Sequence, residues 1–345
     1  MKEMISNLIS KDVAYKTSDS VYFDTSKDNL YGTLSHKIND ENSQARVEEN
    51  IEKRNPADFA LWKFEKANDV SFDAPFGKGR PGWHIECSAM IEKHLAYKDS
   101  AYQIDIHAGG ADLLFPHHEN EAAQTRCSSG QNLAKYWMHN GFVNINGEKM
   151  SKSLGNSFFL KDVLKSYSGE VIRFYLMSTH YRANLGFNEE DLIASKKRLD
   201  KLYRVKKRVY GTESSTINKN FKEEILNALN DDINTSIALS IIDEMINSAN
   251  DKLDANPKDK NLKKELISNI NFIEEVLGVG GNDTYAYFQF GIDESTKQKI
   301  EDLINQRNEA KKIKDFETAD KIRDELTSME ISLMDTPNGT VWEKL

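Results

Sequence analysis

The sequence predicts an α/β region, then an all-α helical bundle, then a small α+β domain at the C-terminus. Short apolar strand patterns alternate with helix patterns up to about residue 157. Apolar residues then recur at i, i+3 and i+4 spacing to about residue 278, which is typical of packed helices. Beyond residue 290, two more helical stretches precede a hairpin around Pro337-Asn338-Gly339. The layout along the chain is therefore α/β first, helical second and mixed at the end.

Each element of the α/β region follows from its local pattern. The predicted helices are 2–10, 85–95 and one that begins near Pro116. The predicted strands are 13–15, 21–24, 60–64, 102–106 and 141–145, with 102–106 buried. The polar stretch 35–58 predicts an exposed excursion, and the glycines and proline of 77–82 predict a loop. In the C-terminal region, 331–333 and 340–342 predict the strands of the closing hairpin.

Composition limits the class of protein. The chain is 39% apolar and 29% charged, and no apolar run approaches the ~18 residues of a membrane span. The opening residues lack the apolar core of a signal peptide. Cys87 and Cys127 are the only cysteines, which excludes a disulfide framework and predicts a reducing cytoplasm. The net charge of −9 argues against a generally basic nucleic-acid surface, but a local basic face remains possible.

Three polar side chains suggest a dispersed metal site. His117 and Glu121 are four residues apart and share one face of a helix. With Cys87 they form a donor set that zinc accepts readily. The other interpretation is a buried thiol at Cys87 and a helix-capping histidine at His117. Spacing alone leaves both open, because no compact CxxC pair accompanies them.

Two glycine-containing segments suggest a nucleotide site. Lys149 and Lys152 lie in a short loop whose cations and N–H groups could surround a polyphosphate, although a solvated basic turn is the alternative. His107, Gly109, Gly110 and Asp112 follow a predicted strand, and ligands bind at the carboxyl ends of such strands. Alone this second pattern is weak, because glycines at strand ends are common in turns.

Residues 195–211 carry a local net charge of +7 within an acidic protein. A helix with this charge could contact a nucleic-acid phosphate backbone. A solvated helix face is the alternative and the commoner case. The basic residues are Lys196, Lys197, Arg198, Lys201, Arg204, Lys206, Lys207 and Arg208.

Four motifs together resemble the cysteinyl-tRNA synthetase family, a class I aminoacyl-tRNA synthetase family. They are RPGWHIECSAM at 80–90, DIHAGGAD at 105–112, FPHHENE at 115–121 and KMSKS at 149–153. KMSKS alone would indicate only a class I synthetase, whereas the combination is highly specific. The C-terminal DTPNGTVW at 335–342 also resembles the end of that family, so the resemblance extends along essentially the whole chain.

The resemblance implies five segments. They are a connective-peptide-like insertion (1–60), the second half of a Rossmann-like catalytic domain (61–157), a stem-contact region (158–210), a tRNA-binding helical bundle (211–282) and an anticodon-recognition domain (290–345). The family's first Rossmann half carries a HIGH-type tetrad and the first zinc cysteine. The sequence has no such tetrad and no cysteine before Cys87. We therefore expect about a hundred residues to be missing and the chain to be unable to run the whole reaction alone.

The implied reaction is ATP-dependent formation of cysteinyl-adenylate, followed by transfer of the cysteinyl group to tRNA(Cys). The implied cofactor is one Zn²⁺, with ATP as a substrate together with Mg²⁺, in a cytoplasmic monomer. Two alternatives remain. One is a non-catalytic tRNA- or zinc-binding remnant. The other is a related ligase that joins cysteine to an amino sugar, which would not need the tail at 294–345.

The resemblance also implies a role for each candidate residue. Zinc would be held by Cys87, His117 and Glu121, with water, His118 or Cys127 as the fourth ligand. Trp83 would line the cysteine pocket, although a core tryptophan is the alternative, and His84 would lie nearby. The adenylate side would involve His107, Gly109, Gly110 and Asp112. The phosphates would meet Lys149 and Lys152, supported by Met150, Ser151 and Ser153. tRNA would be contacted by Lys206, Lys207, Arg208, Arg307 and Trp342.

Overall fold

The computed structural model describes residues 1–37, 52–67, 70–145, 148–149, 160–336 and 339–344, with only the backbone described at 148–149. The chain divides into two compact units, Met1–Phe142 and Val143–Leu345. Much of the predicted excursion over 35–58 and most of the KMSKS loop lie outside the described residues. Within the described part, no helix is long and apolar enough to cross a membrane.

The described residues of the first unit form three α-helices and six strands. The helices are α1 (Lys2–Ser10), α2 (Trp83–His94) and α3 (Glu119–Ser129). The strands are β1 (Ala14–Lys16), β2 (Ser20–Phe23), β3 (Phe59–Phe64), β4 (Gly79–Pro81), β5 (Tyr102–Gly110) and β6 (Asn132–Asn140). The predicted first helix, hairpin and third strand are confirmed. The predicted segment boundary at residue 60 falls within β3, and the five-segment division stays a prediction.

β1 to β4 form an antiparallel sheet in sequential order. Its core is apolar, with Phe23 and Leu61 fully buried against Ile5 of α1. The prediction of a loop at 77–82 is wrong over β4, which pairs with β3. Gly79 permits this pairing, because a Cβ there would lie 2.2 Å from the carbonyl oxygen of Lys63.

β5 and β6 run parallel and are connected through α3, which is a βαβ arrangement. β5 is longer than predicted, because pairing with β6 continues as far as Gly110 and Asn140. The prediction that this strand is buried is wrong at Ile106. Ile106 and its ladder partner Tyr136 are each 56% exposed, since no described element covers this face of the two strands.

The second unit is mainly helical. Its helices are α4 (Leu160–Val163), α5 (Gly169–Met177), α6 (Glu189–Arg208), α7 (Lys219–Asn230), α8 (Thr235–Ala255), α9 (Lys260–Leu277), α10 (Thr284–Phe288), α11 (Glu294–Lys312) and α12 (Phe316–Ser328). Its strands are β7 (Val143–Ile145), β8 (Glu148–Lys149), β9 (Leu185–Phe187), β10 (Ile331–Thr336) and β11 (Gly339–Lys344). The predicted helical run is confirmed except at β9, which pairs in parallel with β7.

One carboxylate links three segments of this helical core. Glu170 at the start of α5 accepts hydrogen bonds from the Tyr203 hydroxyl of α6 (2.8 Å), the Gly280 N–H (2.5 Å) and the Asn282 side-chain amide (2.7 Å). Tyr203 also stacks on Tyr287 of α10, with ring centroids 3.7 Å apart. The segment after α9 is therefore fastened to α5 and α6.

In the C-terminal region, the two predicted helices and the predicted hairpin are confirmed, and α11, α12 and β10–β11 share one apolar core. Leu333 pairs with Trp342 across the hairpin. Trp342 is only 3% exposed and lies in a core with Ile300 and Leu326. Its indole N–H donates to Glu301 at 2.6 Å.

We expect Trp342→Ala to lower the free energy of unfolding of this domain by about 3–5 kcal/mol, the usual cost of removing a buried large aromatic side chain. Urea unfolding followed by circular dichroism measures the change. Phe316→Ala is the matched control, because Phe316 is 62% exposed. That variant should stay within about 0.5 kcal/mol of the parent chain. Equal losses in the two variants would contradict the packing described above.

Candidate metal centre and nucleotide edge

The candidate metal centre is formed where the start of α2 meets the turn before α3. The start of α2 supplies Cys87. A π-helical turn, Leu114–His118, supplies His117, and the first turn of α3 supplies Glu121. His117 and Glu121 are one helical turn apart, so both side chains point to the same side. The structure therefore brings together the three residues that the sequence suggested as metal ligands.

Their ligand atoms are close together, and two of the three residues, His117 and Glu121, are buried. Glu121 Oε1 lies 2.6 Å from His117 Nε2, and Cys87 Sγ lies 3.8 Å from the same nitrogen. All three ligand atoms are within 4.8 Å of one another. Glu121 is fully buried and His117 is 5% exposed. A buried carboxylate needs a charged or hydrogen-bonding partner, because burial without one is costly.

Glu121 Oε1 provides a test of whether a metal would fit. Although His117 Nε2 is only 2.6 Å away, this buried oxygen accepts no hydrogen bond of acceptable geometry. A cation beside this oxygen would give it a partner. Sulfur, nitrogen and oxygen donors arranged in this way suit Zn²⁺, which binds all three types.

The surroundings shift the pKa values of two of the candidate ligands in opposite directions. Burial acts to raise the pKa of Glu121, but the neighbouring His107 and His117 outweigh it and hold the pKa at about 2. Burial and the charge of Glu121 raise the pKa of the Cys87 thiol to about 11. A bound divalent cation would favour the thiolate and so counteract this effect.

Trp83 forms an exposed wall beside the centre. Its ring stacks on the ring of His117, with centroids 4.4 Å apart and planes at 26°. Trp83 is 61% exposed, so the alternative of a core tryptophan is wrong. It begins α2, whose next residue, His84, is half-buried and has its Nδ1 2.8 Å from Nδ1 of His117. Burial lowers the pKa of His84 to about 4.

The predicted adenylate residues lie at the carboxyl end of β5. His107 points to Glu121, with Nε2 2.7 Å from Oε2. Gly109 lies close to the neighbouring histidine, because a Cβ there would be 2.8 Å from Cε1 of His118. Gly110 ends the strand and Asp112 lies in the 3₁₀ turn that follows. This position agrees with the general location of ligand sites in parallel α/β sheets.

The lysine loop is only partly described. Lys149 ends β8, where its backbone pairs with Asn144. The other predicted members, Met150, Ser151, Lys152 and Ser153, lie outside the described residues. Their contacts with phosphate stay predictions.

The two protein candidates for a fourth zinc ligand differ in position. His118 is 2% exposed and joins His107 and Glu121 in a second group of ligand atoms within 4.8 Å. Its Nδ1 lies 2.8 Å from Nε2 of His139. Cys127 packs instead against the apolar core around α1 and belongs to neither group of described ligand atoms.

The predicted tRNA cations on α6 are engaged within the protein. Lys206 donates to the carbonyl oxygens of residues 280 and 282, at 2.7 and 2.8 Å. Lys207 pairs with Glu343 at 2.8 Å, and both side chains are largely buried. Arg208 pairs with Asp254. These contacts give the three residues structural roles, and their contact with tRNA stays a prediction.

A different set of cations on α6 faces solvent. Lys197, Lys201 and Arg204 are exposed and lie at i, i+4 and i+7, so they form one stripe. The sequence alone did not distinguish this stripe from Lys206, Lys207 and Arg208, which are paired within the protein. The helical spacing of the apolar residues of α6 was the signal that could have found it.

In the C-terminal domain, the two predicted RNA contacts are buried. Arg307 is 2% exposed and pairs with Asp335 at 2.9 Å, and Trp342 lies in the core. The apolar side chains of the α11–α12 turn are exposed instead: Ile313 at 76% and Phe316 at 62%. Phe316 was not predicted as a surface for RNA stacking, because the exposure of a phenylalanine side chain cannot be inferred from residue type alone.

Comparison with known proteins agrees with these features. Residues 1–197 match the family model for the class I (C) tRNA synthetase catalytic domain, and residues 224–280 match the DALR domain model. The chain is 92% identical over 345 residues to the cysteine–tRNA ligase of Aliarcobacter butzleri. It is 65% identical over 347 residues to that of a Nitratiruptor species, and 60% identical over 348 residues to that of Helicobacter pylori (strain G27). Each alignment covers the whole chain and 74% of the relative.

Solved structures support the fold. Two Mycobacterium tuberculosis methionyl-tRNA synthetase structures, both with methionyl-adenylate, align with TM-scores of 0.55 and 0.56. They are 13% and 14% identical to the chain, and each alignment covers 80% of the chain and 72% of the synthetase. At this identity the likeness concerns the fold alone.

A catalytic domain of this type followed by a DALR domain defines a class I aminoacyl-tRNA synthetase, an enzyme class that uses ATP. The predicted fold class is thereby confirmed. The sequence identity to cysteine–tRNA ligases specifies the family within this class. The chain belongs to the cysteine–tRNA ligase family.

Proposed function

We propose that the cluster of Cys87, His117 and Glu121 binds one Zn²⁺ and selects the thiolate of cysteine for activation. The observation that carries the proposal is the convergence of a sulfur, a nitrogen and an oxygen donor beneath the exposed ring of Trp83. Zinc bound there would provide a Lewis acid for the substrate sulfur. Serine would gain much less from it, because its hydroxyl is a harder and far less acidic ligand.

The other residues have supporting roles in this proposal. Trp83 closes one side of the cysteine pocket, while Gly109, Gly110 and Asp112 line the adenylate side. The carboxylate of cysteine attacks the α-phosphorus of Mg²⁺-bound ATP and pyrophosphate leaves. Lys149 and Lys152 stabilise the charge that develops on the leaving group. A hydroxyl of the terminal adenosine of tRNA(Cys) then attacks the cysteinyl carbonyl, and AMP leaves.

The proposed setting is the cytoplasm. Both cysteines are free in the structure, and the reducing cytoplasm would keep the zinc-binding thiol of Cys87 from oxidation. A monomeric state stays a prediction. For RNA, we propose that the exposed stripe of α6 contacts the phosphate backbone and that Phe316 offers a stacking surface in the C-terminal domain.

The first prediction from the proposed function concerns the metal. We expect the purified chain to bind one equivalent of zinc, measured by elemental analysis after removal of loosely bound metal. Cys87→Ala should lose most of this zinc, because it removes the sulfur ligand. Cys127→Ala is the matched control and should keep it, since Cys127 lies outside both groups of ligand atoms. Retention of zinc by Cys87→Ala would contradict the site.

The second prediction concerns specificity. Titration calorimetry of the zinc-loaded chain should show cysteine binding at least about 100-fold tighter than serine, because only the thiolate forms a strong bond to zinc. Removal of zinc with a chelator should abolish most of the difference. Equal affinities would overturn the proposal. Cysteine-dependent ATP–pyrophosphate exchange in the same sample then distinguishes a ligase from a non-catalytic zinc- or tRNA-binding protein.

The third prediction concerns RNA. Replacement of Lys197, Lys201 and Arg204 by Ala should reduce the salt-dependence slope of tRNA(Cys) binding by about 2–3, roughly one for each lost phosphate contact. Filter binding at several salt concentrations measures the slope.

A charge-matched control is available outside the segments that are predicted to contact tRNA. It replaces three exposed lysines of the first unit, namely Lys2, Lys93 and Lys98. A comparable loss of slope in this control would show a general charge effect and contradict a specific role for the stripe.

A further inference from the structure

His117 and Glu121 are the nitrogen and oxygen ligands of the proposed zinc site. Each has a second polar atom, and that atom contacts another histidine. His117 Nδ1 lies 2.8 Å from His84 Nδ1, and Glu121 Oε2 lies 2.7 Å from His107 Nε2. We infer that His84 and His107 are positioning residues, which fix the atoms that His117 and Glu121 present to the metal. The inference rests on the proposed zinc site and adds two residues that act through its ligands.

His84 controls the proton of His117. For His117 to bind a metal through Nε2, that nitrogen must be unprotonated, so Nδ1 carries the ring proton. The acceptor for this proton is His84 Nδ1, at 2.8 Å. Packing holds the ring of His84 in place, because Phe59 meets it edge-to-face with centroids 5.7 Å apart. His84 therefore selects the tautomer of His117 whose Nε2 faces Cys87.

His107 controls the carboxylate of Glu121. An ionised carboxylate only accepts hydrogen bonds, so His107 Nε2 must be the donor in the 2.7 Å contact. That contact occupies Oε2 and leaves Oε1 for the metal. The ring of His107 is held by Trp137, which meets it at 87° with centroids 5.1 Å apart. His107 also lies on β5, two residues before Gly109, so it connects the metal ligand to the predicted adenylate edge.

Partners of this kind are general features of metal sites. A histidine ligand usually donates its other ring N–H, and a carboxylate ligand is usually hydrogen-bonded through its other oxygen. Removing such a partner typically weakens metal binding 10- to 100-fold without removing a ligand. A rival interpretation follows from the second group, His107, His118 and Glu121, which could itself hold a metal. The two interpretations predict different stoichiometries, one zinc per chain or two.

The experiment measures zinc affinity by competition with a chromogenic chelator, using the full chain. His84→Ala and His107→Ala should each bind one zinc 10- to 100-fold more weakly than the parent. His84→Asn places an acceptor near the original Nδ1, and His107→Gln places a donor near the original Nε2. Both should recover most of the affinity. His94→Ala is the matched control, because His94 is an exposed histidine at the end of α2 and should leave affinity unchanged.

The outcomes separate this inference from the proposed function. If the parent chain binds no zinc, the proposed metal site fails. If the parent binds zinc and both alanine variants, folded by circular dichroism, bind it equally well, the positioning roles are overturned. Two zinc equivalents in the parent, with one lost in His107→Ala, would identify His107 as a ligand instead. Weak binding that the Asn and Gln variants do not recover would indicate general packing and also contradict the inference.

Discussion

The fully buried carboxylate of Glu121 is the constraint around which the first unit is arranged. Its two oxygens face His117 and His107, which come from the turn before α3 and from β5. A negative charge at this depth is tolerated only with such partners, because its desolvation cost is large. Cys87 of α2 lies beside His117, with its Sγ 3.8 Å from the ring nitrogen that faces Glu121. Three elements thus meet at one carboxylate, and their meeting point is the proposed cysteine-selecting site.

Most of the fold could be predicted because its patterns are local. The 3.6-residue periodicity of α6 to α9 and the turn residues at 337–339 require no long-range information. β4, β6 and β9 were not predicted, and each of them is stabilised by pairing with another strand: β3, β5 and β7 respectively. The β4 pairing depends on Gly79 lying against the backbone of Lys63, a contact that no local pattern shows.

The site was predicted less completely, for a different physical reason. Residue type indicated the ligand set but not exposure. The start of α3 is polar in sequence yet buried, since Asn120 and Gln124 find partners in Tyr31 and Ser88. Conversely, Lys207 pairs with Glu343, a residue 136 positions later in the chain. Such tertiary pairs decide which charges face solvent, and composition cannot reveal them.

The most direct test is X-ray absorption at the zinc edge of the zinc-loaded chain, with and without cysteine. The account predicts one sulfur near ~2.3 Å and nitrogen or oxygen near ~2.0–2.2 Å, with a second sulfur after cysteine is added. Serine should leave the spectrum unchanged. A first shell without sulfur, or a sulfur count that cysteine does not raise, would contradict direct selection of the thiolate at Cys87, His117 and Glu121.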